Sequence, residues 1–139
     1  MTLKKYPNAK LVLANALGPD STIIKKYSKT LPNWSYVEIE FENNITALYK
    51  TFDVLVHVPI DRFWEAYGQV VVEALAAKVC VVCTRSGVVT DELFIDNHNV
   101  AIVPFKNSKA IYNKILQLIE DLITKNRLVS NCYNLVKKK

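Results

Sequence analysis

Glycine is scarce: Gly18, Gly68 and Gly87 are the three in a chain of 139 residues. At the usual frequency of about 7%, roughly ten would be present. Walker and dinucleotide-binding loops each need two or three glycines within about eight residues, so both are excluded. Long hydrophobic runs are missing as well. No apolar stretch reaches the roughly 20 residues that span a bilayer. The N-terminus carries Lys4 and Lys5 without an apolar run behind them, so it is not read as a signal peptide. Cysteine occurs three times, an odd number that suits a reducing, cytoplasmic setting. Cys80 and Cys83 form a C-x-x-C, but inside the β-branched run VCVVCT at 79–84. Residues three apart on a strand face opposite ways, so this pair shares neither a metal nor a disulfide. His57 and His98 have no carboxylate at a catalytic spacing and read as structural or solvated. Ser-His-Asp, H-E-x-x-H and EF-hand patterns are absent.

Half of the residues are apolar and 22% are charged, the composition of an ordinary globular protein. The length fits one domain, 1–139, able to bury its own core. Charge is uneven. Residues 1–105 hold 10 basic and 11 acidic side chains, whereas 106–139 hold 8 and 2. The basic tail reads first as a solvated helix face; an anionic membrane surface or an acidic partner is the functional alternative. No aromatic residues interleave with the lysines, so nucleic acid is not an expected partner.

Short apolar runs alternate with helical patterns. Strands are predicted at 9–14, 36–41, 54–58, 79–84 and 100–104. Helices are predicted at 22–29 with Ser21 as cap, 45–51 capped by Asn44, 69–77, and 108–124 capped by Ser108. A turn near 92–95 and a further helical piece through Leu128, Cys132, Tyr133 and Val136 complete the pattern. The run VLVHV at 54–58 reads as a central strand buried on both faces. The fold class is therefore α/β, a Rossmann-like parallel sheet with helices on both faces. Ligands of such sheets sit at the carboxyl ends of the strands. That rule selects four loops: 15–20, 41–44, 59–68 and 85–90.

The segment Glu65-Ala-Tyr-Gly-Gln-Val-Val-Val-Glu73 carries the most chemistry. Glu73 lies in an otherwise apolar helix, and an unpaired buried carboxylate is costly, so a partner or ligand is expected. Gly68 stands where loop becomes helix. The first amides there, at Gly68, Gln69 and Val70, lack helical acceptors and can receive an anion. Glu65 lies on the other side of that mouth. A carboxylate on each side of an amide-lined anion site suits a diphosphate between hydroxyl-rich sugars.

This E-x7-E pattern, with Tyr67-Gly68 after the first glutamate and Glu73-Ala-Leu at its end, resembles the signature of retaining family-4 glycosyltransferases of the GT-B type. Asp53 to Pro59 before the motif, the Val-rich strand after it and Ser86-Gly87-Val88 fit the same pattern. The resemblance runs from about Tyr6 to Asp121. It implies that Glu65 contacts hydroxyls of the transferred sugar and belongs to the catalytic centre, and that Glu73 holds the ribose. It implies that Gly68, Gln69 and Val70 offer amides to the diphosphate or sugar, and that Gly87 lines the cleft. The substrate would be a nucleoside-diphosphate-sugar, with no metal and no cofactor. It also implies a separate N-terminal acceptor domain, or a partner chain, for transfer to an acceptor hydroxyl. Compared with the family pattern, that acceptor domain and the first strand and helix of the donor domain are missing, so the isolated chain is expected to bind donor weakly without turnover. Arg62 and Arg85 are candidate diphosphate contacts, Trp64 a candidate for lining the cleft, and Asp91 or Glu92 the acid after the glycine loop. The competing reading is a non-catalytic α/β module that docks on a partner through its basic C-terminal helix, in the cytoplasm or peripherally at a membrane.

Overall fold

A computed structural model describes residues 2–15 and 18–137, with side chains for all of these except Thr2, Leu3, Val89 and Val136. Ala16 and Leu17 of the first predicted loop, and Lys138 and Lys139 of the basic tail, lie outside the described residues. The chain divides into two compact units, Met1–Asn43 and Asn44–Lys139.

The first unit holds helix α1 (Thr2–Lys5), strand β1 (Leu11–Ala14), helix α2 (Ser21–Ser28), a 3-10 turn (Asn33–Ser35) and strand β2 (Tyr36–Ile39). β1 and β2 pair in parallel, with Leu11 opposite Tyr36 and Ala14 opposite Ile39. The cap of α2 is Asp20, one residue before the predicted Ser21, and its side chain makes no capping hydrogen bond.

The second unit is built around a strand buried on both faces. Its elements are α3 (Ile45–Tyr49), β3 (Val54–His57), α4 (Gln69–Ala76), β4 (Cys80–Cys83), α5 (Val88–Glu92), β5 (Ala101–Ile102), α6 (Ser108–Glu120) and α7 (Leu122–Lys137). The sheet order is β3-β4-β5, and both pairings are parallel. All four residues of β4 are buried. Its alternate side chains enter two separate cores. Val81 and Cys83 meet Val71, Ala74 and Leu75 of α4, together with Tyr49, Phe94 and Cys132. Cys80 and Val82 meet Leu118 of α6 and Leu128 of α7. The C-x-x-C thus splits across the strand as its spacing requires, and all three cysteines are free and buried. Burial pushes their thiols up, to about 11 for Cys80 and about 12 for Cys83 and Cys132.

Several boundaries differ from the sequence expectation. The VLVHV run is not the central strand: β3 lies at the edge of the three-stranded sheet, and Val56 is 40% exposed. A continuous apolar run fits a central strand, but the pairing order decides, and β4 takes the middle place. The cap of α6 is Asn107, whose side chain accepts from the Ala110 amide, rather than Ser108. The predicted helix over 108–124 breaks at Asp121, where φ −106° and ψ 83° leave the helical region. Asp121 then accepts from the Thr124 amide at 2.9 Å and opens α7. The irregular turn near 92–95 is displaced upstream and forms α5. No helix among the described residues is long and apolar enough to cross a membrane.

Candidate functional site

The loops leaving the carboxyl ends of β3 and β4 are fastened to each other by hydroxyl groups. Thr84 Oγ1 donates to the Pro59 carbonyl at 3.0 Å. Ser86 Oγ donates to the Arg62 carbonyl at 3.3 Å and accepts from the Glu65 amide at 3.1 Å. The Val88 amide donates to the Ala66 carbonyl at 3.2 Å. Beneath them Thr90, 1% exposed, shares its hydroxyl between the carbonyls of Ser86 (2.8 Å) and Gly87 (2.7 Å).

Two glycines make this junction possible for different reasons. Gly68 caps the start of α4 at φ +90°, with open space where a Cβ would stand, so its requirement is one of backbone conformation. Gly87 has φ +85° and no room: a Cβ would stand 3.1 Å from Glu65 Cγ and from the backbone C and O of Tyr67.

Glu65 sits at the centre of the junction. Burial favours its neutral form. The nearby backbone amides of Gly68 and Tyr67 and the His57 ring favour its charged form, and together these hold its pKa below the ordinary value. His57 Nε2 lies 3.3 Å from Glu65 Oε2, off the axis of a good hydrogen bond, and is a buried nitrogen without another partner. Because the folded pKa is the lower one, this arrangement stabilises the fold above the unfolded carboxylate pKa of about 4.3. The contribution is lost as pH falls through the lowered folded value. In acid titrations of urea stability, Glu65→Gln is expected to flatten the decline below about pH 4.5. An acid limb identical to wild type would contradict the lowered Glu65 pKa.

Around Glu65 lies a hollow of about 340 Å³, bounded by Ala66, Gly87 and Val88, with Arg62, Phe63 and Asp91 also lining it. Arg62 is bound to Asp91 at 2.7 Å, and Arg85 Nη1 donates to the Thr90 carbonyl at 3.2 Å. Both arginines proposed for a diphosphate are therefore engaged within the loop pair, and Asp91 is the Arg62 partner. Phe63 is 91% and Trp64 68% exposed. His98 is exposed, as its sequence reading anticipates.

Glu73, in the second turn of α4, has a donor for each oxygen. Tyr49 Oη donates to Oε2 at 3.1 Å, and Gln69 Nε2 donates to Oε1 at 2.8 Å. Burial first, then the bond to Glu73 and its charge, push the Tyr49 phenol up to about 12, so it stays a donor across the working range. Glu73 faces a different hollow, of about 520 Å³, with Lys50, Lys78 and Tyr133 in its lining. The structure therefore places Glu65, Gly68 and Gly87 together, with Gln69 and Val70 in the adjoining first turn of α4. Glu73 lies farther along that helix. The buried hydroxyls, Tyr49 and His57 were not singled out as partners from sequence. Their signal is small: hydroxyl residues at strand ends, and an isolated polar atom in each apolar run. Among the described residues no cluster of three or more metal-binding side chains occurs.

A family profile described as glycosyl transferases group 1 matches residues 1–135. Among solved structures, a C-terminal domain of a glycosyl transferase group 1 family protein (LpcC) from Francisella tularensis is 28% identical, with a TM-score of 0.80. That match covers 99% of this chain and 73% of the other. The Anabaena protein HepE in complex with UDP-glucose is 22% identical, with a TM-score of 0.81, and covers 95% of this chain and 37% of the other. TarM is 18% identical, with a TM-score of 0.81, and covers 99% of this chain and 27% of the other. No curated protein sequence matches the chain.

Proposed function

This chain belongs to the glycosyl transferases group 1 family, and from that premise we propose that it is the donor-binding half of a retaining family-4 GT-B glycosyltransferase. Its substrate is a nucleoside-diphosphate-sugar. The bond from the anomeric carbon to the diphosphate breaks, a bond from that carbon to an acceptor oxygen forms on the same face, and the acceptor hydroxyl gives up its proton. The observation that carries this reading is the placement of Glu65 beside the start of α4, with Gly68 at φ +90° opening the helix and Gly87 crowded against Glu65 and the Tyr67 backbone. The first amides of that helix have no helical acceptor, and their field is the one a diphosphate or sugar oxygen needs. Glu65 then contacts hydroxyls of the transferred sugar through charge-assisted hydrogen bonds, and Glu73 does the same for the ribose. The amides of Gly68, Gln69 and Val70 meet the departing diphosphate without a metal, and Gly87 keeps the opposite wall low. The HepE complex with UDP-glucose supports this choice of donor class.

The chain spans about a third of the HepE and TarM chains, which supports a separate acceptor-binding domain or partner chain. The chain acts in the cytoplasm, a setting that suits its three free cysteines. Isothermal calorimetry with UDP, GDP and their sugars tests the reading. Weak binding of one nucleotide is expected, made about tenfold weaker by Glu73→Ala. No binding by any nucleotide, with the variant indistinguishable from wild type, would sink it.

A further inference from the structure

Tyr49 is separated from Glu73 by 24 positions in sequence and belongs to another helix, yet its hydroxyl holds one oxygen of that carboxylate at 3.1 Å. Its ring is fixed independently of that bond. It is 5% exposed, packs in the core formed by α4 and β4, and meets Phe52 edge-on at 6.2 Å. A long glutamate side chain loses considerable rotamer freedom when ordered. Here the ordering is achieved by a rigid donor on Oε2 and by Gln69 Nε2 on Oε1 at 2.8 Å. Each carboxylate oxygen has two acceptor positions. One donor on each leaves one position free on each, which matches the two adjacent hydroxyls of a ribose.

We propose that Tyr49 is a positioning residue for donor recognition: it fixes the Glu73 carboxylate so that its two remaining acceptor positions receive the 2′- and 3′-hydroxyls of the nucleotide. Tyr49 touches no ligand itself. It sets discrimination between ribose and deoxyribose, because a mobile Glu73 weakens two bonds to a ribonucleotide but one to its 2′-deoxy counterpart. The inference rests on the donor-binding reading and adds a residue and a specificity to it.

The test compares UDP with 2′-deoxy-UDP by calorimetry, or GDP with 2′-deoxy-GDP if wild type prefers guanine. Wild type should prefer the ribonucleotide. In Tyr49→Phe the ribonucleotide Kd should rise about five- to tenfold, from two weakened bonds, and the deoxynucleotide Kd only about two- to threefold, from one, so the ratio narrows. Partial unfolding lowers the competent fraction equally for both ligands, so it leaves the ratio intact. Phe52→Leu, which disturbs the same ring packing without touching the hydroxyl, should retain the wild-type ratio. A second measurement needs no variant: three-bond couplings in unliganded wild type should place Glu73 in a single χ1 rotamer. Equal rises in both Kd values, an unchanged ratio, or an averaged Glu73 rotamer each overturn the role of Tyr49 while leaving the donor reading standing. Wild type that binds no nucleotide overturns both.

Discussion

Replacing Gly87 with alanine lowers the stability of the 44–139 unit by about 2–4 kcal/mol and weakens donor binding with it. Two effects act at one atom. The residue sits at φ +85°, where a side chain costs about 1–2 kcal/mol. The new Cβ also meets the Tyr67 backbone C and O at 3.1 Å, and backbone cannot rotate away as a side-chain tip can. The third neighbour at 3.1 Å is Glu65 Cγ, so part of the strain is relieved by displacing the Glu65 side chain. Gly68→Ala is the natural comparison. Its φ of +90° carries the same conformational cost, but nothing lies within 4 Å of its Cβ, and it should lose only about 1–2 kcal/mol. Urea unfolding of the two variants separates steric crowding from backbone conformation. Equal losses would mean that the loops do not approach each other as described.

Leu75→Ala produces the largest loss of stability, about 2–5 kcal/mol. Leu75 is 2% exposed and belongs to the core where α4 lies against Val81 and Cys83 of β4. Truncation removes the transfer free energy of three carbons and leaves a cavity whose walls, strand and helix backbone, collapse poorly. Against a total of about 5–15 kcal/mol for a domain, this is a large fraction. The urea midpoint should fall with little change in slope. Ile123, 83% exposed on α7, is the control, and Ile123→Ala should stay within about 0.5 kcal/mol of wild type. A Leu75→Ala loss below about 1 kcal/mol would contradict the packing of α4 on β4.

The parts legible in the sequence are those whose cause is local. Gly68 ahead of an apolar helix marks the start of α4 within a residue, because the positive φ and the periodicity are both written nearby. Asn44 as the cap of α3 follows from the same kind of signal. The opposite facing of Cys80 and Cys83 follows from strand period alone. Contacts across the chain are different. Glu73 inside an apolar helix announces that a partner is needed, but nothing in residues 65–77 says that it is Tyr49. Likewise VLVHV reads as doubly buried, and its edge position depends on a pairing order that hydrophobicity does not encode. Asn107 took the α6 cap from Ser108 because both are good caps and one residue decides the register.

The hydroxyls of Thr84 and Ser86 tie the loop after β3 to the loop after β4 before any ligand arrives, and Thr90 fastens the second loop to α5. Ordering a free loop costs roughly 1–2 kcal/mol per residue in backbone entropy. Here that cost falls on folding and is already met in the unliganded protein. The hollow beside Glu65 is preorganised: a ligand entering it would spend no affinity assembling its walls. A threonine or serine lost from this seam would therefore show itself as a slower, more entropically opposed association even where every ligand-touching group is intact.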